Sequence, residues 1–257
     1  MKRVLVTGAQ GQLGKCLQNA SKGYAKIEFI FKDSKALNIL DFAVMETLFA
    51  KEHYDYCINC AAYTNVQEAE KRPEKAMALN ATAVQNLATC CKISKTILIH
   101  ISTDYVFDGE KEEAYTIADQ PNPINVYGRS KLLGEQWIQE IMSRYFIVRT
   151  SWLYSEHGKN FYKTIVAKAK EEAILYVTDE QRGCPTNANN LATYLAELIA
   201  NSNKSFGIHH FTDGEAMTWF SFAKKILVQN GLDTTTSVKK AENNRSFVKR
   251  PKNSVLK

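Results

Sequence analysis

Apolar residues along the chain fall into short runs separated by stretches of helical periodicity. Val4-Leu5-Val6, Ile27 with Phe29-Ile30-Phe31, Tyr56-Cys57-Ile58, Ile97-Leu98-Ile99 and Phe146-Ile147-Val148 have the β-branched and aromatic content of buried strands. Between them, apolar residues recur at helical spacing from Gln12 to about Asn19, at Phe42, Val44, Met45, Leu48 and Phe49, and at Ala76, Leu79, Ala83, Leu87 and Cys90 in a helix from about Pro73 to Lys92. A further helix runs from about Lys131 to Arg144. Strands alternating with helices from residue 3 to 152 predict a doubly wound α/β fold, a parallel sheet with helices on both faces. Ligands of such sheets bind beyond the C-terminal ends of the strands, where Gly8, Ala61, Thr103 and Trp152 fall.

After Trp152 the alternation loosens. The pattern predicts helices over 161–170, 189–200 and 218–230, short strands at Leu175-Tyr176-Val177 and Gly207 to Phe211, and a turn at Gly183-Cys184-Pro185-Thr186. Residues 1–152 are therefore expected to form a dinucleotide-binding domain of Rossmann type. Residues 153–257 are expected to form mainly a smaller α/β substrate lobe, with some elements returning to the main sheet.

The candidate chemistry lies at the strand ends. After the first strand, Gly8-Ala9-Gln10-Gly11-Gln12-Leu13-Gly14 turns through glycines into a helix N-terminus, leaving backbone N–H groups and the positive end of the helix dipole to face a pyrophosphate. The second strand ends in Lys32-Asp33, where an acidic neighbour favours the 2′-hydroxyl of NAD and a basic one the 2′-phosphate of NADP; both are present, so either NADPH or NADH fits. Asn38 and Ile39 are placed near the adenine. Ala61, Ala62, Tyr63 and Thr64 follow the third strand, where small side chains leave room for a ligand or for close helix packing.

The fourth strand delivers His100-Ile101-Ser102-Thr103-Asp104, and Tyr127 and Lys131 follow one helical turn apart. On one helix face the lysine charge would favour the ionised phenol, and Thr103 could hydrogen-bond the same oxygen or the group it reacts with. Tyr-x-x-x-Lys alone occurs by chance on many helices, with the tyrosine packed and the lysine snorkelling past it. The strand-end Ser-Thr and the glycine turn set this one apart.

Composition narrows the classes. With 45% hydrophobic and 23% charged residues among 257, the chain has the balance of a soluble globular protein. It contains no apolar run of the ~20 residues that span a bilayer, and Met1-Lys2-Arg3 leads directly into a strand, so a cytoplasmic location is expected. The net charge of +6 comes from basic residues interspersed with acidic ones, apart from a cluster at Lys239, Lys240, Arg245, Lys249, Arg250, Lys252 and Lys257. Such a tail reads as a solvated surface whose field also suits a small diphosphate; neither nucleic acid nor membrane is called for. Cys57-Ile-Asn-Cys60 sits in an apolar strand without a second ligand pair, and the six cysteines read as small hydrophobes, not as a metal or redox site. His209-His210 alternate faces of a strand and cannot both reach one metal.

The glycine turn, Asn59-Cys60-Ala61-Ala62-Tyr63-Thr64, Ser102-Thr103-Asp104-Tyr105-Val106-Phe107-Asp108-Gly109, Asn125-Val126-Tyr127-Gly128-Arg129-Ser130-Lys131 and Arg149-Thr150-Ser151-Trp152 together resemble the dTDP-4-dehydrorhamnose reductase family of extended short-chain dehydrogenases. Gly158-Lys159-Asn160-Phe161, Gly183-Cys184-Pro185-Thr186 and Arg250-Pro251-Lys252-Asn253-Ser254 extend the likeness over nearly the whole chain. The resemblance implies reduction of the C4 ketone of a dTDP-6-deoxy-hexulose, with Tyr127 as proton donor, Lys131 lowering its pKa and holding the nicotinamide ribose, and Thr103 orienting the carbonyl. Ser102 would join the cofactor site, Thr64, Asp104 and Trp152 would line the sugar site, and Arg250 would lie near the diphosphate.

Three departures from the family pattern stand out. Asn38 replaces a frequent aspartate and can still accept from an adenine amino group. Cys16, Asn189 and Asn190 stand where members joined through magnesium carry carboxylates, which implies a monomer or a homodimer without bridging magnesium. The sequence ends at Lys257, some tens of residues earlier than is usual, which implies a shortened lobe or interface. Related activities are a reductase giving another 6-deoxy sugar such as the talose epimer, and a binding subunit like the NADP-binding regulatory partner of methionine adenosyltransferase.

Overall fold

The computed structural model describes residues 1–242 and 247–257; Arg245 of the basic cluster lies outside the described residues. Strands β1 (Lys2–Thr7), β2 (Ile27–Lys32), β3 (Tyr56–Asn59), β4 (Ile97–Thr103), β5 (Tyr145–Thr150) and β10 (Gly207–His210) form one six-stranded parallel sheet in the order β10-β5-β4-β3-β1-β2. The strand order reverses at β1, which pairs with both β2 and β3. That switch point leaves a crevice at the C-terminal edge, floored by the glycine turn and by residues 60–64.

Side chains alternate across the sheet. Val4, Val6, Ile58, Ile99 and Val148 pack on one face beneath α1 (Gln12–Ala20) and α8 (Ala188–Ala200). Leu5, Cys57, Leu98 and Ile147 pack on the other beneath α2 (Phe42–Lys51), α5 (Ala83–Ile93) and α6 (Val126–Ile141). The six cysteines are free and, apart from partly buried Cys60, buried.

The helix expected from Pro73 to Lys92 is present, helical from Pro73 to Ile93, and widens in its middle. Helices α3 (Val66–Lys71) and α4 (Pro73–Met77) lead into a π-helical turn over Ala78–Thr82 before α5. The wide turn accompanies close packing: a Cβ on Gly134 of α6 would collide with the Asn80 carbonyl, and Asn80 brackets Tyr63 by accepting from its N–H at 2.8 Å and donating to its carbonyl at 2.9 Å.

The second half builds small paired ribbons. These are β6 (Leu153–Tyr154) with β9 (Thr186–Asn187), β8 (Arg182–Gly183) with β11 (Met217–Thr218), and β7 (Ile174–Val177) with β12 (Ser237–Lys240). Helices α7 (Phe161–Lys168) and α9 (Trp219–Gln229) pack with β7 and β12 around Ile165, Leu175, Phe222 and Ile226. The basic tail is not wholly a solvated surface: Val255 and Leu256 are buried, and Leu256 packs with Val106, Phe107 and Tyr115. Exposed Lys252 and Lys257 flank this buried segment.

Candidate active site

Gly8 turns the chain out of β1 with φ +65°, and a Cβ there would lie 2.7 Å from the Ala61 nitrogen. Gly14 lets α1 approach the turn, since a Cβ there would stand 2.6 Å from the Gly8 carbonyl oxygen. Gly11 caps α1 without a side-chain acceptor, so the first-turn N–H groups keep their capacity for an anion. The backbone cradle therefore fits a pyrophosphate.

In front of it opens a cleft of about 470 Å³. Gly11, Gln12, Leu13, Ala62 and Thr64 line its cofactor-loop side; Ser102, Thr103, Asp104, Tyr127, Lys131 and Trp152 line the rest. The parallel register aligns Thr103 with Thr150 at the ends of β4 and β5. Asn125 starts α6 by accepting from Gly128 N at 2.8 Å, which sets Tyr127 in the first turn at the cleft.

Burial governs the charges. It pushes Tyr127 up to about 12, opposed by a hydrogen bond with Thr103 and reinforced by the Asp104 carboxylate. Lys131 is not among the groups that move Tyr127; burial brings the lysine's own pKa down to about 8 against the pull of Glu135 and Cys60. Burial also raises Asp104 to about 7, although Ser254 and Thr103 donate to its carboxylate at 2.5 and 3.0 Å. Tyr127 is therefore a neutral phenol at the cleft.

The whole chain, residues 1–257, matches the family model described as the RmlD substrate binding domain. The dTDP-4-dehydrorhamnose reductase of Aggregatibacter actinomycetemcomitans is 36% identical over 227 residues, covering 87% of this chain and 77% of that protein. The chain belongs to the dTDP-4-dehydrorhamnose reductase family. The crystal structure of the Bacillus anthracis dTDP-4-dehydrorhamnose reductase in complex with NADP superposes on this reductase-family chain with a TM-score of 0.94 at 37% identity, covering 100% of this chain and 91% of that one. A spore coat polysaccharide biosynthesis protein, SpsK of Bacillus subtilis, is 35% identical over 258 residues, covering 100% of this chain and 89% of that protein.

Several sequence-predicted residues of this family member stand apart from the cleft lining. Gln10 is exposed on the loop, Ala61 lies behind Gly8, and Tyr63 is held by Asn80. Asn38 is exposed, with its Oδ1 accepting from Leu40 N at 3.1 Å. The Ile39 side chain enters the core with Leu37, Met45 and Phe49, leaving only its backbone for a ligand. Arg250 lines a neighbouring cavity of about 620 Å³ together with Gln67, Lys168 and Trp219. Its Nε is buried, with no hydrogen-bond partner among the described residues.

Trp219 and Lys159 were missed by the sequence reading, and both line the cleft. Trp152, held at φ +47°, stacks on Trp219 with ring centroids 3.4 Å apart and planes 6° from parallel. Trp219 borders both cavities. Also unread was the buried pair of Glu135 and Arg149, 2.6 Å apart, to which Ser102 Oγ donates at 2.5 Å.

Proposed function

We propose that this protein reduces the C4 ketone of dTDP-4-dehydro-L-rhamnose to dTDP-L-rhamnose with NADPH or NADH, supplying a nucleotide sugar for polysaccharide synthesis. The observation that carries the reading is the convergence of Thr103, Tyr127 and Lys131 on one cleft whose floor is a glycine turn shaped for a pyrophosphate. The bound nicotinamide supplies the hydride. Tyr127, with its pKa pushed up to about 12, keeps its proton until negative charge develops on O4, then donates it. The Thr103 hydroxyl, now donating to Asp104, can turn to hold the carbonyl in line. Lys131 bonds the nicotinamide ribose and offsets the charge left on the phenolate.

Residues 1–152 act as the dinucleotide-binding domain in this reading, and residues 153–257 mainly as the substrate lobe. Thr64, Asp104 and Trp152 border the sugar, while Arg250 and Lys168 place positive charge around the second cavity for the diphosphate. Ser102, Asn38 and the backbone at Ile39, Ala61, Ala62 and Tyr63 complete the cofactor site. The protein works in the cytoplasm as a monomer or homodimer without bridging magnesium. Asn189 and Asn190 donate their amides to Glu156 and Asp213, each at 2.9 Å, and burial raises the Cys16 thiol pKa, so none of the three presents a hard anionic oxygen. Among the described residues no helix is long and apolar enough to cross a membrane.

The test is oxidation of NADPH or NADH followed at 340 nm with dTDP-4-dehydro-L-rhamnose, with the sugar product identified. dTDP-L-rhamnose is the expected product. The talose epimer would reassign the stereochemistry, and tight dinucleotide binding without turnover would refute the enzyme reading.

A further inference from the structure

A row of polar side chains crosses the sheet behind the cleft. Thr7, Asn59 and His100 are register partners on β1, β3 and β4, all buried, and the row ends on Lys131. Thr7 Oγ1 lies 2.7 Å from Asn59 Oδ1, Asn59 Nδ2 3.1 Å from His100 Nδ1, and His100 Nε2 3.1 Å from Lys131 Nζ. Lys131 also donates to the Ile101 carbonyl at 2.7 Å.

Donor and acceptor roles along this row follow from one group that cannot exchange them. The backbone N–H of Ala61 points at Asn59 Oδ1 from 3.2 Å, and a backbone N–H only donates. Asn59 therefore keeps its oxygen on that side and turns its NH₂ to His100 Nδ1, which must accept. His100 is wholly buried and its pKa is held well below the usual histidine value, so it is neutral and its single ring proton sits on Nε2. That N–H faces Lys131. An ammonium has no lone pair to receive it, whereas a neutral amine does.

We propose that His100, locked by Asn59 with its ring proton on Nε2, is a positioning residue for the reduction: it disfavours the ammonium form of Lys131, so that this lysine gives up and regains its proton within the working pH range. The proposal rests on the reading of Lys131 as a catalytic group. Two groups act the other way, Glu135 on the next turn of α6 and the Cys60 thiol after β3, each favouring the charged lysine. Glu135 is already engaged by Arg149 of β5 and Ser102 of β4. On the cleft side the other titratable groups are Asp104, Tyr105, Lys159 and Tyr127; Asp104 is raised to about 7, and Tyr127 stays neutral in this range.

Two measurements test this on the full-length protein. Long-range ¹H–¹⁵N correlation of imidazole-labelled protein, assigned with His100→Asn, reads which ring nitrogen carries the proton; Nε2 is expected, and a proton on Nδ1 or on both nitrogens overturns the proposal whatever the activity. The second measurement is the pH profile of kcat/KM. His100→Asn keeps an acceptor for Asn59 but removes the N–H facing Lys131, and His100→Gln can turn an oxygen to the lysine. In the wild type the alkaline limb should fall near pH 8, and in both variants it should move up by about one unit. A purely structural role would lower thermal stability and leave the limb in place, and an unmoved limb in folded variants overturns the proposal. Full turnover by Lys131→Met would overturn the underlying reading of the lysine, without touching the ring-proton result.

Discussion

Arg149 and Glu135 make a test of how the site is held, because both are almost wholly out of water, at 2% and 0% side-chain exposure. Arg149→Met keeps most of the volume and removes the charge, leaving the Glu135 carboxylate buried with Ser102 Oγ as its remaining donor among the described residues. Breaking one side of such a pair costs about 3–5 kcal/mol. For a chain of this length each kcal/mol moves Tm by about 2–4 °C, so the expected fall is about 6–20 °C. Glu135 has an escape, which is to take up a proton. Protonation relieves the unpaired charge, and lower pH favours it. The Tm gap to wild type should therefore narrow at pH 5 relative to pH 8. Adding Glu135→Leu removes the orphaned charge and should recover most of the loss, less about 1–3 kcal/mol for the Ser102 hydroxyl left without its acceptor. Differential scanning calorimetry of the two variants at both pH values reads all of this. A fall below ~3 °C for Arg149→Met, of the size a surface pair gives, would refute the argument, as would a double variant less stable than the single one.

Other expectations are as specific. Asp104, raised to about 7, favours the folded state below its unfolded pKa and loses that contribution as pH rises through 7; Asp104→Asn should flatten the dependence of Tm on pH between 5 and 8, and an unchanged slope would contradict the assigned burial effect. Gly8→Ala forces a Cβ against Ala61 in a left-handed backbone, a cost of at least about 1–2 kcal/mol, and should weaken NADPH binding in a fluorescence titration along with Tm. Trp219→Ala deletes the stack on Trp152, worth about 0.5–1.5 kcal/mol beyond area, and merges the two cavities; KM for the dTDP-sugar should rise more than kcat falls. Treatment with EDTA should leave the sedimentation coefficient unchanged, and dissociation on chelation would contradict the proposal that no magnesium bridges subunits.

The parallel sheet and the cleft-lining trio were legible because their signals are local. Apolar runs mark buried strands, and a spacing of four puts Tyr127 and Lys131 on one face wherever a helix forms. What escaped depends on contacts distant in sequence. His100, Glu135 and Arg149 sit inside segments that read as ordinary strand and helix, and only the register of β3, β4 and β5 and the packing of α6 upon them show where their polar atoms find partners. Trp219 looks like one more aromatic of an amphipathic helix until the ribbon of β8 and β11 brings it onto Trp152. The raised pKa of Tyr127 was hidden for a related reason. Spacing reports proximity, but the loss of water around both groups, which the one-dimensional pattern does not carry, is the larger influence. The π-helical turn at residues 78–82 likewise meets α6 closely at Gly134, and no glycine or proline in its own segment marks it.

The central claim is that Tyr127 delivers the proton in a ketone reduction at this cleft. Its most direct test is the rate of NADPH oxidation by Tyr127→Phe with saturating dTDP-4-dehydro-L-rhamnose, alongside NADPH affinity measured by fluorescence. The account predicts a loss of about 10²–10⁴ in kcat with cofactor affinity essentially unchanged. Turnover close to that of the wild type would contradict it.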